Sequence, residues 1–173
     1  MEDRKFYLRL SEQALGMCKS WIGKELVSFP AMQLQKDWDS ETMFVSPELG
    51  FVFHPNTMQV RLWQEEANVE GLPVSFALRL EKETSKHRPV LFQFNKPFKI
   101  RKLEVWAEKT RDSSGLRDTT QLTENTLVFI AESGDRFIIL PDHPGPGFAI
   151  ARDGADMNTI LHSGWYVLKH ILE

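Results

Sequence analysis

Five histidines, one cysteine and a handful of acidic residues are the groups in this 173-residue chain that could do chemistry. His54-Pro55 and His143-Pro144 each follow an apolar run that reads as the second strand of a hairpin, and Asp142 directly precedes His143. Two imidazoles and one carboxylate would make a donor set for a divalent metal, or an acid–base pair, if folding brought His54, Asp142 and His143 together. Their spacing does not require it, since a histidine before a proline is also an ordinary strand exit. His162 and His170 fall on the last periodic segment with Tyr166 between them, too far apart for a metal pair at i,i+4. A solvated face is the plain reading there, although histidine titrates near neutrality. Cys18 lies on an apolar helical face and is expected to be a buried thiol rather than a nucleophile.

Aromatic residues supply the other candidates. Trp63 and Trp106 stand at strand ends or out of phase with the apolar pattern, and tryptophan is a favoured interface anchor. With the proline- and glycine-stiffened loop 142–147, they make Trp63, Trp106, Asp142 and His143 the expected contacts to a partner protein. Phe53, Phe92, Phe94 and Phe129 would line a small-molecule pocket if the sheet curled far enough to enclose one. Lys96, Lys99, Arg101 and Lys102 form a local basic run. Apolar residues alternate with them and Glu104 and Glu108 dilute them, so a solvated sheet face is expected. Glu65, Glu66 and Glu70 read as a solvated acidic loop.

Several chemistries are excluded by absence. The sequence has no phosphate-cradling P-loop, no G-x-G-x-x-G, no nucleophile elbow and no H-E-x-x-H. A single cysteine rules out zinc ribbons and fingers, rules out an internal disulfide and points to a reducing compartment. Lys+Arg total 21 against Asp+Glu 24, a net charge of -3, which disfavours nucleic acid as a partner. No run approaches the roughly 18 apolar residues that cross a bilayer. The opening MEDRKFYLRL lacks the apolar stretch of a secretory signal. The expectation is a cytoplasmic protein with no cofactor, no metal and no membrane partner.

The elements that must position these residues are mostly strands. Met58, Val60 and Leu62 alternate with polar neighbours, as do Val74, Phe76, Leu78 and Leu80, and then Val90, Phe92 and Phe94. That period of two marks strands with one buried face. Between Phe98 and Trp106 the apolar phase changes, which predicts a bulge or bend near Arg101–Lys102. The hairpin 126–140 is apolar on successive residues, which predicts burial on both faces with helices covering the second. Helices are expected over 11–22, capped by Ser11, and over 156–171, where Met157, Ile160, Leu161, Gly164, Val167, Leu168 and Ile171 make an apolar stripe. Loops are expected at 30–40, 64–73, 83–88, 110–124 and 142–147, with 110–124 the most mobile.

Hydrophobic residues at 42% and charged residues at 26% suit one globular domain over 1–173. Segments 24–63 and 100–152 share an order of strand, polar link, hairpin, proline and strand, which suggests two duplicated β-meanders. The fold class expected is α+β: a mainly antiparallel β-sheet, half-barrel or sandwich, with an N-terminal and a C-terminal helix packed on it. Without catalytic signatures, the function expected is a non-catalytic, bacterial-type protein-binding domain of immunity-like or adaptor kind. A small-ligand-binding half-barrel, and an enzyme or metal site on His54, Asp142 and His143, are the alternatives.

Overall fold

The computed structural model describes residues 4–30, 35–36, 43–46, 49–54, 58–67, 75–83, 90–113, 119–142, 147–152 and 155–173. In chain order the elements are β1 (Arg4–Leu8), α1 (Glu12–Lys19), β2 (Glu25–Pro30), β3 (Gln35–Lys36), β4 (Met43–Ser46), β5 (Leu49–His54) and β6 (Met58–Ala67). They continue with β7 (Ser75–Glu83), β8 (Val90–Asp112), β9 (Thr119–Ala131), β10 (Arg136–Asp142), β11 (Gly147–Arg152), α2 (Ala155–Leu161) and β12 (Tyr166–Leu172). Strand order is β3-β4-β11-β10-β9-β8-β2-β5-β6-β7, with β12 added beside β8 and β1 beside β9. The pairing is antiparallel apart from β1, which runs parallel to β9. Among the described residues no helix is long and apolar enough to cross a membrane.

Two runs of neighbours, β2-β5-β6-β7 and β8-β9-β10-β11, form two limbs joined along β8. The limbs fold over one another because each has an apolar inner face. Trp21 fills the space between them, its ring 5.4 Å from Phe51 and Phe53 of one limb and 6.0 Å from Phe129 of the other. Phe129 stacks on Phe137 at 4.5 Å, and Phe137 meets Phe29 edge-on at 5.2 Å. Aromatic pairs of this kind add about 0.5–1.5 kcal/mol each beyond area burial. The indole Nε1 of Trp21 finds no hydrogen-bond partner among the described residues. Ring packing therefore holds Trp21 in place. Gln64 ties the limbs by a polar link, its Nε2 donating to the carbonyl of Gly147.

The continuous apolar runs of β9 and β10 are buried on both faces. Leu127, Phe129, Phe137 and Ile139 face the inner core. Val128, Ile130, Ile138 and Leu140 face outward with Ala149 and Ala151, and Met157 and Leu161 of α2 cover them. Helix α1 packs inward through Ala14 and Cys18. Ser11 caps it, accepting from the Ala14 amide at 3.1 Å. Burial pushes the Cys18 thiol up to about 12, so it stays protonated at neutral pH.

Four expectations need correction. The helix expected over 156–171 ends at Leu161, and β12 takes up the rest. Gly164, counted in the apolar stripe, has φ +83 and turns the chain out of the helix, after which the apolar, β-compatible Tyr166–Leu172 pairs with β8. The helix expected over 11–22 spans only Glu12–Lys19, with Trp21 in the turn that follows. Segment 110–124 is not a long loop: β8 continues to Asp112 and β9 begins at Thr119. The hairpin whose second strand is expected to end at His54 is not formed with β4 among the described residues, because β4 pairs with β11 while β5 pairs with β2 and β6. The phase change near Arg101 corresponds to a register shift: Ile100 faces Ala131 and Lys102 faces Ile130, leaving Arg101 as the extra residue.

Phe129 touches both limbs, so Phe129→Ala is expected to destabilise the fold by about 3–5 kcal/mol. Urea unfolding followed by tryptophan fluorescence measures this, and a loss below about 1 kcal/mol would contradict a core centred on these rings.

Candidate functional site

Glu124 is the most unusual side chain described: a carboxylate with no solvent exposure. A register slip places it there. Trp106 faces Thr126 and Ala107 faces Glu124, so Asn125 is an extra residue. Without it, strict alternation would put Glu124 on the outer face with Thr126 and Val128. The bulge turns Glu124 inward instead. Asn125 is itself anchored, its Nδ2 donating to Glu108 at 2.9 Å.

An isolated buried carboxylate costs several kcal/mol, so it needs donors. Three converge on it. The Tyr7 hydroxyl of β1 donates to Oε1, the Leu10 backbone amide donates to Oε2 at 2.8 Å, and His170 Nε2 of β12 lies 3.0 Å from Oε1. Facing a carboxylate, Nε2 is the ring nitrogen that carries the proton. His170 is opposite Val105 and Glu124 is opposite Ala107. The two strands flank β8 and so lie roughly 9–10 Å apart, a gap these long side chains close above small Ala107. One carboxylate thereby ties the first strand, the last strand and the sheet between them.

Tyr7 carries the electrostatics to the surface. Arg9 Cζ lies 4.6 Å and Lys169 Nζ 4.8 Å from its ring centroid, within cation–π reach. Burial of the hydroxyl, the hydrogen bond to Glu124 and the charge of Glu124 push the phenol up to about 12, with Arg9 opposing. Chemically, a carboxylate holding an imidazole proton is an acid–base arrangement. Its immediate effect here is to fix β12 against the sheet.

Large apolar side chains are exposed on the two strands that Glu124 ties. Among the described residues, the exposed ones are Trp165 at 57%, Ile171 at 52%, Leu168, Val167 and Tyr7. All belong to β12, the turn before it, or β1. Leu168 is opposite Trp106 of β8. Among the described residues only β8 pairs with β12, so its far edge has no strand partner among them.

The residues expected from sequence are dispersed. Trp106 is half-buried at the margin of this apolar surface, its Nε1 donating to Glu104 at 3.0 Å. Trp63 lies in the other limb, on the outer face of β6, with Arg61 Cζ 4.9 Å from its ring. Asp142 is half-buried at the end of β10. His54 is exposed and faces Glu25, which faces Lys99, whose amine bridges Glu132 at the β9–β10 turn. In the strand order β10-β9-β8-β2-β5 it lies four strands from the strand that carries Asp142. His143 lies outside the described residues. Phe53 and Phe129 are buried in the aromatic core, Phe94 is half-buried, and the side chain of Phe92 is outside the described set. Among the described residues no group of three or more His, Cys, Asp or Glu side chains could hold a metal ion. Sequence reading missed Glu124 because it sat at the end of a presumed loop. The β-compatible Thr119-Thr120-Gln121-Leu122-Thr123 was the available signal.

No family model, curated protein or solved structure matches the chain.

Tyr7 gives a direct test. Its phenol ionises near 10 in the unfolded chain and at about 12 when folded. Between those values the unfolded state holds fewer protons, so the stability from this group is complete below pH 10 and is lost as pH rises through 12. Burial also pushes the Tyr166 phenol up, so the test uses a Tyr166→Phe background: tyrosinate absorbance should show Tyr7 titrating above the ordinary range, and Glu124→Gln should move it down. An unchanged titration in that variant would separate Tyr7 from Glu124.

Proposed function

We propose that this chain is a non-catalytic protein-binding domain that receives an extended segment of a partner polypeptide along the free edge of β12. One observation carries the reading: the exposed large apolar side chains among the described residues all belong to β12, its preceding turn or β1, with Leu168 and Ile171 on one face of β12 and Val167 on the other. Exposed apolar side chains along a strand edge mark an interaction site. An edge strand offers backbone hydrogen bonds for affinity and alternate side chains for specificity.

Charge selects the occupant. Lys169 stands at the middle of β12. Two copies paired antiparallel about that centre would bring Lys169 against its own equivalent, and like charges directly opposite are destabilising. With Arg9 and Lys169 both beside the Tyr7 ring, a foreign strand that alternates apolar residues with aspartate or glutamate fits better. The register shift between Leu168 and His170, together with Lys169, is the kind of feature that keeps an edge from pairing indiscriminately. The glutamate tie through His170 holds the edge ready, so little ordering entropy is lost on binding. The buried, unpaired Cys18 suits a cytoplasmic setting.

The test is selection from a displayed library of random peptides against the full chain. Enriched peptides should alternate apolar and acidic residues, and the exposed-site variant Leu168→Asp/Ile171→Lys should weaken them tenfold or more by fluorescence anisotropy. Absence of enrichment, equal binding by that variant, or a concentration-dependent dimer in sedimentation would each overturn the reading.

A further inference from the structure

A second site lies elsewhere, where β8 crosses from one limb to the other. Along β2 the chain advances two residues, from Leu26 to Ser28, while its partner on β8 changes from Phe98 to Gln93, a step of five. Three extra residues must therefore leave the sheet line. Pro97 lies in this stretch and has no amide to donate to a ladder. The displaced segment walls a cleft of about 490 Å³ against the start of β10 and the end of β11. That volume is within the range of small-molecule sites, roughly 300–1,000 Å³.

Its floor is aromatic. Phe94, Phe98 and Phe137 form a triangle with ring centroids 5.0, 5.1 and 5.9 Å apart. Phe98 and Phe137 are buried, whereas Phe94 is half-buried. The rim is cationic: Lys96, Arg136 and Arg152 line it against one carboxylate, Asp135. Asp135 already accepts from the Ser133 hydroxyl at 2.8 Å, and Arg136 is steadied by Asn158 at 3.4 Å. Among the described lining residues three are basic and one is acidic. Basic side chains around an aromatic cleft suit an anionic head group.

We propose that this cleft binds a small aromatic anion, its flat body on half-buried Phe94, which Phe98 and Phe137 back, and its carboxylate, sulfonate or phosphate held by Lys96, Arg136 and Arg152. Guanidinium pairs grip such heads in two-pronged geometry, and the aromatic floor excludes water from one side. The site uses none of the residues of the β12 edge, so it stands or falls separately from that reading.

The probe is 1-anilinonaphthalene-8-sulfonate on the full chain, with neutral N-phenyl-1-naphthylamine as the same body without the charge. The sulfonate should bind one to one and more tightly than the neutral probe, with affinity falling as salt rises. Lys96→Ala/Arg152→Ala, both exposed positions, should weaken the sulfonate tenfold or more and leave the neutral probe unchanged, with far-ultraviolet circular dichroism confirming the fold. Amide shifts on titration should centre on residues 94–98 and 135–137. Equal affinity of the two probes, an unaffected double variant, or loss of the signal in Leu168→Asp/Ile171→Lys instead would overturn the proposal.

Discussion

The alternation of side chains along a strand is the constraint on which this molecule turns. Strand β8 has 23 residues and serves β2, β9 and β12 in turn. A strand that long cannot keep one pleat register against three partners whose apolar faces are set by their own sequences. The mismatch is resolved by extra residues, each of which reverses inside and outside beyond it. The surplus between Phe98 and Gln93 opens the cleft. Arg101 shifts the apolar phase so that Leu103 and Val105 can join the core that Phe98 and Ile100 began. Asn125 on β9 turns Glu124 inward, and the slip near Lys169 on β12 places Leu168 and His170 on different faces. Every candidate site sits beside one of these irregularities.

Magnitudes explain why such a sheet can hold a buried charge. Stabilisation comes chiefly from apolar burial, at about 1.5–3 kcal/mol for each large side chain. The inner core alone includes Trp21, Phe29, Phe51, Phe53, Phe129, Phe137 and Phe148. Against that, one carboxylate with three donors is a small local cost, and hydrogen bonds to a charged group return about 1.5–3 kcal/mol each. Removing a donor would leave the charge buried and unmet. The arrangement therefore does more to fix where β1 and β12 lie than to raise total stability.

Much of the sheet was readable from sequence, and the reason is local. Alternation at Leu62, Leu78 and Phe94, the double-sided runs of β9 and β10, and the phase change at Arg101 all follow from burial patterns that neighbouring residues carry. The parts that were not readable depend on partners distant in sequence. Tyr166–Leu172 fits a helical stripe as well as a strand, and only the open flank of β8 decides between them. The segment Thr119–Glu124 is polar and read as a loop, yet it is held between β8 and β1, more than a hundred residues earlier in the chain. Glu124 as a site needed Tyr7, Leu10 and His170 together, and no spacing rule links them. The out-of-phase tryptophans lie far apart: Trp106 pairs with Leu168 of β12, whereas Trp63 lies on β6 with Arg61 over its ring.

The two proposed surfaces share a support in α2. Arg136 at the cleft reaches Asn158 on that helix, and the chain leaves the helix through Gly164 into Trp165 and β12. Coupling between the surfaces would require α2 to move. The solvent-exposed bond from Arg136 to Asn158 contributes at most about 0.5–1.5 kcal/mol. Met157 and Leu161 anchor the same helix in the outer core, at about 1.5–3 kcal/mol each. A ligand that drew Arg136 away from Asn158 would thus leave the helix seated and β12 where His170 and Glu124 hold it. Met157 and Leu161 outweigh that one bond, so the two proposed sites are expected to act independently.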